Sequence, residues 1–300
     1  MKKKFLFLIV LIFITISIAA AEDEPRRIWA EAFIKKEKDP PVKKEEIAPV
    51  KKNKTSPASK PVKKPEYKIT TPEVVTDNVL QESVVGITIW RLRPAKEEEI
   101  GILIGNERLA AERVEGNRIL SKGDRVRIAI EAARDGYLYV MNREQFKDGT
   151  TGEPYLIFPT ARITSGDNRT TLGRMIVIPA ETDKPPYFTL TPGRSDQIAE
   201  ILSVFITSEP LKELRVSDQP TQISSAQVAG WEKQWGKAVG RLELEGGAGS
   251  TLTSAEQQAG EGSRLLKHTD PAPQSLYYNP ELKSSDPVFV NVNLQYDSEK

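Results

Sequence analysis

The segment EAARDGYLYVMNREQFKDGTTGEPYLIFPT, residues 131–160, carries the densest pattern in the chain. It sets carboxylates, arginines and aromatics between glycine turns, so it reads either as an active site or as strands. Arg134-Asp135-Gly136 separates the alternating run RVRIAIEA (125–132) from YLYVMNRE (137–144). Asp-Gly between two such runs is a strong hairpin signal, because both residues tolerate positive φ. A hairpin over 125–144 is therefore expected. Lys147-Asp148-Gly149 supplies the next turn, and PYLIFP (154–159) is a short apolar strand bounded by Pro154 and Pro159. Each unusual residue has a structural role, and the stretch reads as scaffold.

The same period extends outward. In RVRIAIEA, Val126, Ile128, Ile130 and Ala132 share one face, and Arg125, Arg127 and Glu131 the other. Alternation of this kind marks a strand with one buried face. Ile87 and Ile89 oppose Thr88 and Trp90; Leu202, Val204 and Ile206 oppose Ile201, Ser203 and Phe205. Near the end of the chain, Val288, Val290, Val292 and Leu294 point inward and Phe289, Asn291 and Asn293 outward. With GRMIVIP and YFTLTP this predicts a mostly β domain, an antiparallel β-sandwich-like fold of about eight or nine strands.

One or two short docked helices are expected as well. Ser224 and Gln227 have capping-box spacing and open a run in which Val228, Trp231, Trp235 and Leu242 recur at helical steps. Gly230, Gly236 and Gly240 weaken it by about 1 kcal/mol each, so it needs its apolar stripe docked. Trp231 and Trp235 are the expected anchors, with sugar stacking as the alternative use of the pair. Ser254 and Gln257 repeat the spacing between Gly247 and Gly260, which predicts a loosely docked helix.

The chain begins differently. Lys2, Lys3 and Lys4 precede an apolar run from Phe5 to Ile18, and Ala19-Ala20-Ala21 follows. That is a signal peptide over 1–21, with cleavage after Ala21. The run is shorter than the roughly 20 residues a spanning helix needs; left uncleaved, it is an anchor. Residues 22–80 are rich in Lys and Pro and lack periodicity, which predicts a disordered spacer reaching at most ~3.1 Å per residue. The folded part is placed at 81–300, with a core over 85–215 and an extension over 216–300. Residues 22–73 hold 14 Lys/Arg against 10 Asp/Glu, whereas 74–300 hold 26 against 32. A basic tether on an acidic body follows, and the acidic body argues against nucleic acid as a partner.

Composition narrows the chemistry. The chain has no Cys and a single His, His268, read as a surface or turn group. Thiol nucleophiles, Cys-ligated metals and His relays are excluded. No phosphate-binding glycine loop, dinucleotide fingerprint or nucleophile elbow occurs. No cofactor, metal or catalytic residue is expected. Glu131 and Glu144, facing each other across the expected hairpin, are the carboxylates a glycan hydrolase would use.

The segments GITIWRLRP, GDRVRIAIEAARDGYLYVMNREQ, PYLIFPTARITSGDNRTTLGRMIVIP and YFTLTPGRSDQIAEILSVFITSEPL resemble a bacterial family known as domain of unknown function 4384. The resemblance covers roughly residues 85–215; the Gly-Tyr-Leu-Tyr core and the apolar-Phe-Pro segment before Gly-Asp-Asn carry most of it. It implies a compact β-rich module of exported or envelope-linked proteins, elsewhere attached to signalling and protease-like domains. It brings no catalytic residues.

These readings converge on a non-enzymatic interaction module, exported to the periplasm or cell envelope, that recognises an envelope protein or a wall component. The candidate binding residues are Arg127, Tyr139, Asn142 and Arg143. The alternatives are a carboxylate-based glycan hydrolase and a purely structural envelope protein.

Overall fold

A computed structural model describes residues 67–69 and 85–297, except 117, 181, 237–238, 261–264, 268–269, 280–281, 284 and 296. The expected signal peptide with Ala21, most of the expected spacer, and His268 lie outside the described residues. Two antiparallel sheets face each other across one core. The first contains β1 (Tyr67–Ile69), β2 (Val85–Pro94), β3 (Ile102–Ile104), β4 (Glu107–Val114), β5 (Arg125–Ala132), β9 (Met175–Ile178), β10 (Phe188–Thr189), β13 (Gly240–Leu244) and β14 (Ser275–Tyr278). The second contains β6 (Gly136–Phe146), β7 (Tyr155–Phe158), β8 (Arg169–Thr170), β11 (Gln197–Thr207), β12 (Thr221–Gln222) and β15 (Val288–Gln295). Several of these strands have only two to four residues, which explains why alternation alone predicts fewer.

The inward rows are those the alternation predicts. Val126, Ile128, Ile130 and Ala132 of β5 meet Leu138 and Val140 of β6, Leu202, Val204 and Ile206 of β11, and the β15 valines in one buried cluster. The opposite rows are also covered. Trp90, Leu92 and Ala129 are buried on the outer face of the first sheet, and Tyr139, Met141 and Phe205 on that of the second.

The expected hairpin is corrected. β5 pairs with β2, β9 and β10, while β6 pairs with β7, β8 and β11. The Asp135-Gly136 corner therefore carries the chain from one sheet to the other. Both arrangements bury alternate residues of each strand, so periodicity does not distinguish them. Gly136 serves close approach: a Cβ there would meet the Thr207 carbonyl oxygen at 2.5 Å. Tyr67–Ile69, within the stretch read as spacer, pair in register with Ile69 opposite Leu242. Adding a strand to an edge uses main-chain bonds and needs no apolar pattern.

Two helices cover the outer faces. α1 (Ser225–Trp235) lies on the second sheet, with Val228 and Trp231 buried. Trp231 and Trp235 stack at 5.7 Å and both contact Phe205, at 5.6 and 6.0 Å. They are anchors. Ser224 is the N-cap, yet its side chain makes no capping bond. α2 (Ser254–Gly260) lies over the first sheet. Its capping box is one residue earlier than expected: Thr253 Oγ1 accepts from the Glu256 N–H at 3.2 Å, and Glu256 Oε2 accepts from the Thr253 N–H at 2.7 Å. The other Glu256 oxygen binds Arg113 Nε at 2.7 Å and also Nη2. Because this ion pair is buried, α2 is latched to the sheet rather than loosely docked.

Candidate functional site

The four candidate binding residues are not brought together. Arg127 sits on the outer face of the first sheet, 5 % exposed. Tyr139 is 4 % exposed, stacks on Phe205 at 5.1 Å, and its hydroxyl accepts from the Leu211 N–H at 2.8 Å. Arg143 is half-buried and bound to Glu232 of α1. The outer face of β6 is therefore the seat of α1, and Tyr139 and Arg143 hold that helix down. Asn142 continues the inward row of Leu138 and Val140.

The carboxylates pair differently as well. Glu131 belongs to the first sheet and is 4 % exposed, while Glu144 belongs to the second. Glu144 stands directly opposite Glu200 of β11. Both continue core-facing rows at the end of the sandwich where those rows turn polar. Burial pushes the Glu200 carboxyl up from its ordinary range, Glu144 adds to the shift, and side-chain bonds from Asn142 and Gln197 oppose it. Gln197 Nε2 donates to Glu200 Oε1 at 2.9 Å, while Oε2 is buried with no hydrogen-bond partner among the described residues. Glu200 was not a sequence-level candidate; its only signal is an acid interrupting an otherwise apolar row.

This pair has a measurable consequence. A carboxyl with a raised folded pKa binds its proton more tightly in the folded state, so stability falls as pH rises through the window between the two pKa values. Like charges directly opposite across strands cost about 0.2–1 kcal/mol. Glu200→Gln is therefore expected to raise the unfolding temperature at pH 7–8. The gain should vanish below the ordinary carboxylate range, as checked by thermal unfolding across pH. Glu112 shows the opposite sign. Burial pushes its carboxyl up, but Arg93 and Arg91 override that and hold it low, so its contribution is lost on acidification.

Two surfaces remain as sites. The first is the outer edge of β15, whose other edge pairs with β11 from Ile206–Val288 to Ala199–Gln295 without a bulge. The Leu120 N–H donates to the Gln295 carbonyl at 2.7 Å, and the Asp297 N–H to the Leu120 carbonyl at 3.0 Å. The main-chain groups of Gln295 thus face away from β11. Alternation along the strand directs those of Asn293, Asn291 and Phe289 the same way. Among the described residues no backbone bond reaches those three. Residues 287–295 contain no charge, and Pro287 precedes the strand. Beside this edge lies an open cleft lined by Phe289, Asn291, Val239, Gly236 and Glu232.

The second is a cavity of about 50 Å³ between the first sheet and α2. Its floor is low because Thr88, Ala111 and Ala129 stand among larger neighbours. Arg113, Arg127 and Glu131 form polar walls; Leu252, Leu266 and Glu256 close it above. The Arg113 guanidinium lies 5.2 Å from the Trp90 ring centre. Among the described residues no cluster of three or more His, Asp or Glu is placed to hold a metal ion.

The fold and these surfaces define an antiparallel β-sandwich with helices laid on both outer faces. No family model, curated protein or solved structure matches the chain.

Proposed function

We propose that this chain is a non-enzymatic interaction module of the bacterial cell envelope that takes up an extended segment of a partner on the outer edge of β15. The observation that carries the reading is the main-chain row Phe289–Asn291–Asn293, which has no backbone partner among the described residues. Edge strands are ordinarily protected by charges, prolines or bulges, because their free N–H and C=O groups pair readily. β15 has eight residues, an unbroken register and none of these inside it. Strand addition takes affinity from main-chain bonds and specificity from pockets for alternate side chains, and the cleft beside Phe289 is such a pocket. The leader ending at Ala21, the basic tether and the resemblance to domain of unknown function 4384 support an exported, tethered placement, with an envelope protein as partner.

The test uses the full chain as bait for crosslinking in envelope extract, beside Asn291→Pro and Asn293→Pro. Both N–H groups point away from β11, so proline removes edge donors without breaking the internal ladder. Expected are a dominant partner captured by the parent, at least about tenfold less with either variant, and slowed amide exchange at 289, 291 and 293 in the isolated complex. Equal capture by parent and proline variants would place recognition elsewhere.

Hydrolysis of glycans by Glu144 and Glu200 is the second reading, favoured by their opposed position and the raised Glu200. It is the weaker one because a Cβ at Gly152 or Gly193 would meet a Glu144 oxygen at 2.8 Å, so the backbone leaves little room for a sugar ring. Release of reducing ends from wall glycan, abolished in Glu200→Gln, would reverse this order.

A further inference from the structure

We propose that the outer edge of β15 is covered in the free protein by the chain's own segment 28–34, IWAEAFI, added as an antiparallel strand, and that a partner binds by displacing it. The inference rests on the reading of that edge given above and adds what controls access to it.

The edge itself calls for a cover. Free N–H and C=O groups along a flat strand pair with any extended chain they meet, so proteins protect such strands with charge, proline, a bulge or an added element. β15 carries no charge, proline or bulge over its eight residues. The first sheet already meets the same need with an added element: β1, which comes from the tether, pairs along the edge of β13.

Segment 28–34 fits by composition, charge and reach. It lies outside the described residues and departs from the Lys- and Pro-rich chain around it: six of its seven residues are apolar and none is Pro. Basic pairs close both ends, Arg26-Arg27 and Lys35-Lys36. β15 has the complementary pattern, an uncharged run over 287–295 with Asp286 before it and Asp297 after it. Antiparallel pairing with Glu31 opposite Asn291 sets Lys36 opposite Asp286 and brings Arg26-Arg27 near Asp297. The same register sets Phe33 opposite Phe289. Directly opposed residues share a face, so Phe33 enters the cleft lined by Phe289, Val239 and Gly236. Residues 35–66 join the segment to β1 and reach up to ~100 Å when extended, well beyond the roughly 17 Å radius of gyration of a domain of this size. Tethering at an effective concentration of about 1 mM lets a segment of about 0.1 mM affinity protect the edge about tenfold.

Amide exchange in the full chain tests this at Phe289, Asn291 and Asn293. These amides should exchange about tenfold more slowly in the parent than in Glu31→Pro, which removes the central N–H of the added ladder. Ala30→Pro should keep the protection, because its nitrogen points away from β15. Capture of the envelope partner should rise by about the same tenfold in Glu31→Pro. Cover in cis is partial, so the partner slows the same amides further. Equal exchange in the parent and Glu31→Pro overturns the proposal, as does equal loss of protection in both proline variants. Protection that grows with protein concentration assigns the contact to a second copy and overturns it as well. The two readings fail separately. If Glu31→Pro leaves the edge amides unchanged while Asn291→Pro still abolishes capture, the cover is absent and the partner site stands. If the edge amides depend on Glu31 while Asn291→Pro captures as much as the parent, the cover stands and the partner binds elsewhere.

Discussion

Phe205→Ala is expected to destabilise the protein by about 3–5 kcal/mol, the range for truncating a buried aromatic. Phe205 is fully buried near the C-terminal end of β11, on the outer face of the second sheet. It stacks on Tyr139 and on Phe289 at 5.1 and 5.9 Å, and Trp231 and Trp235 lean on it from α1. Its removal leaves a cavity under the helix and frees four other rings from a fixed contact. The measurement is urea unfolding followed by tryptophan fluorescence, which also reports on the α1 anchors. Phe205→Leu keeps most of the volume and should cost about 1.5 kcal/mol or less. A loss below 1 kcal/mol for the alanine variant would mean that α1 is seated by other contacts. Since Phe289 belongs to β15, the alanine variant should also loosen the cleft beside the binding edge proposed above.

Glu256→Gln is expected to cost about 3–5 kcal/mol, because it leaves the buried Arg113 charge without its counter-charge. The same change removes the carboxylate that caps α2 through Thr253. Thr253→Ala separates the two effects: loss of a cap alone costs about 1 kcal/mol. The double replacement Arg113→Met, Glu256→Leu supplies the decisive comparison. Replacing a buried ion pair by apolar groups of similar volume is often neutral or stabilising, so the double variant should recover most of the loss. If the double variant is as unstable as Glu256→Gln, the latch contributes geometry that apolar packing does not replace. In Glu256→Gln, amide exchange over 254–260 should accelerate before that of β5, since α2 is then held only by apolar contacts.

The two expectations bear on different parts of what the chain reveals before it folds. The Trp231 and Trp235 anchors are legible because helical spacing and weak intrinsic helicity together demand a docking stripe. The Arg113–Glu256 latch is not, since its partners are 143 residues apart and neither stands in a distinctive motif. The capping box shows the same limit at short range. Ser254–Gln257 and Thr253–Glu256 fit the spacing equally well, and the buried arginine selects the second by drawing Glu256 toward the sheet. Glu131 and Glu144 illustrate it for chemistry. Their pairing depends on the expected hairpin, and once the Asp135-Gly136 corner crosses between sheets, Glu144 meets Glu200 instead.

Local alternation, which a strand imposes on any half-buried segment, determined by itself that this chain folds into facing β-sheets and which rows point into the core. It also separated a Lys- and Pro-rich segment from an acidic, strand-rich body. Tertiary structure alone decided which strands are neighbours, that both outer faces are covered, and that the β15 edge and the cavity under α2 stand apart as separate surfaces. The reason is physical. Burial of alternate side chains is satisfied equally by several pairings, and the choice among them rests on main-chain edges and buried ion pairs that join residues far apart in the chain.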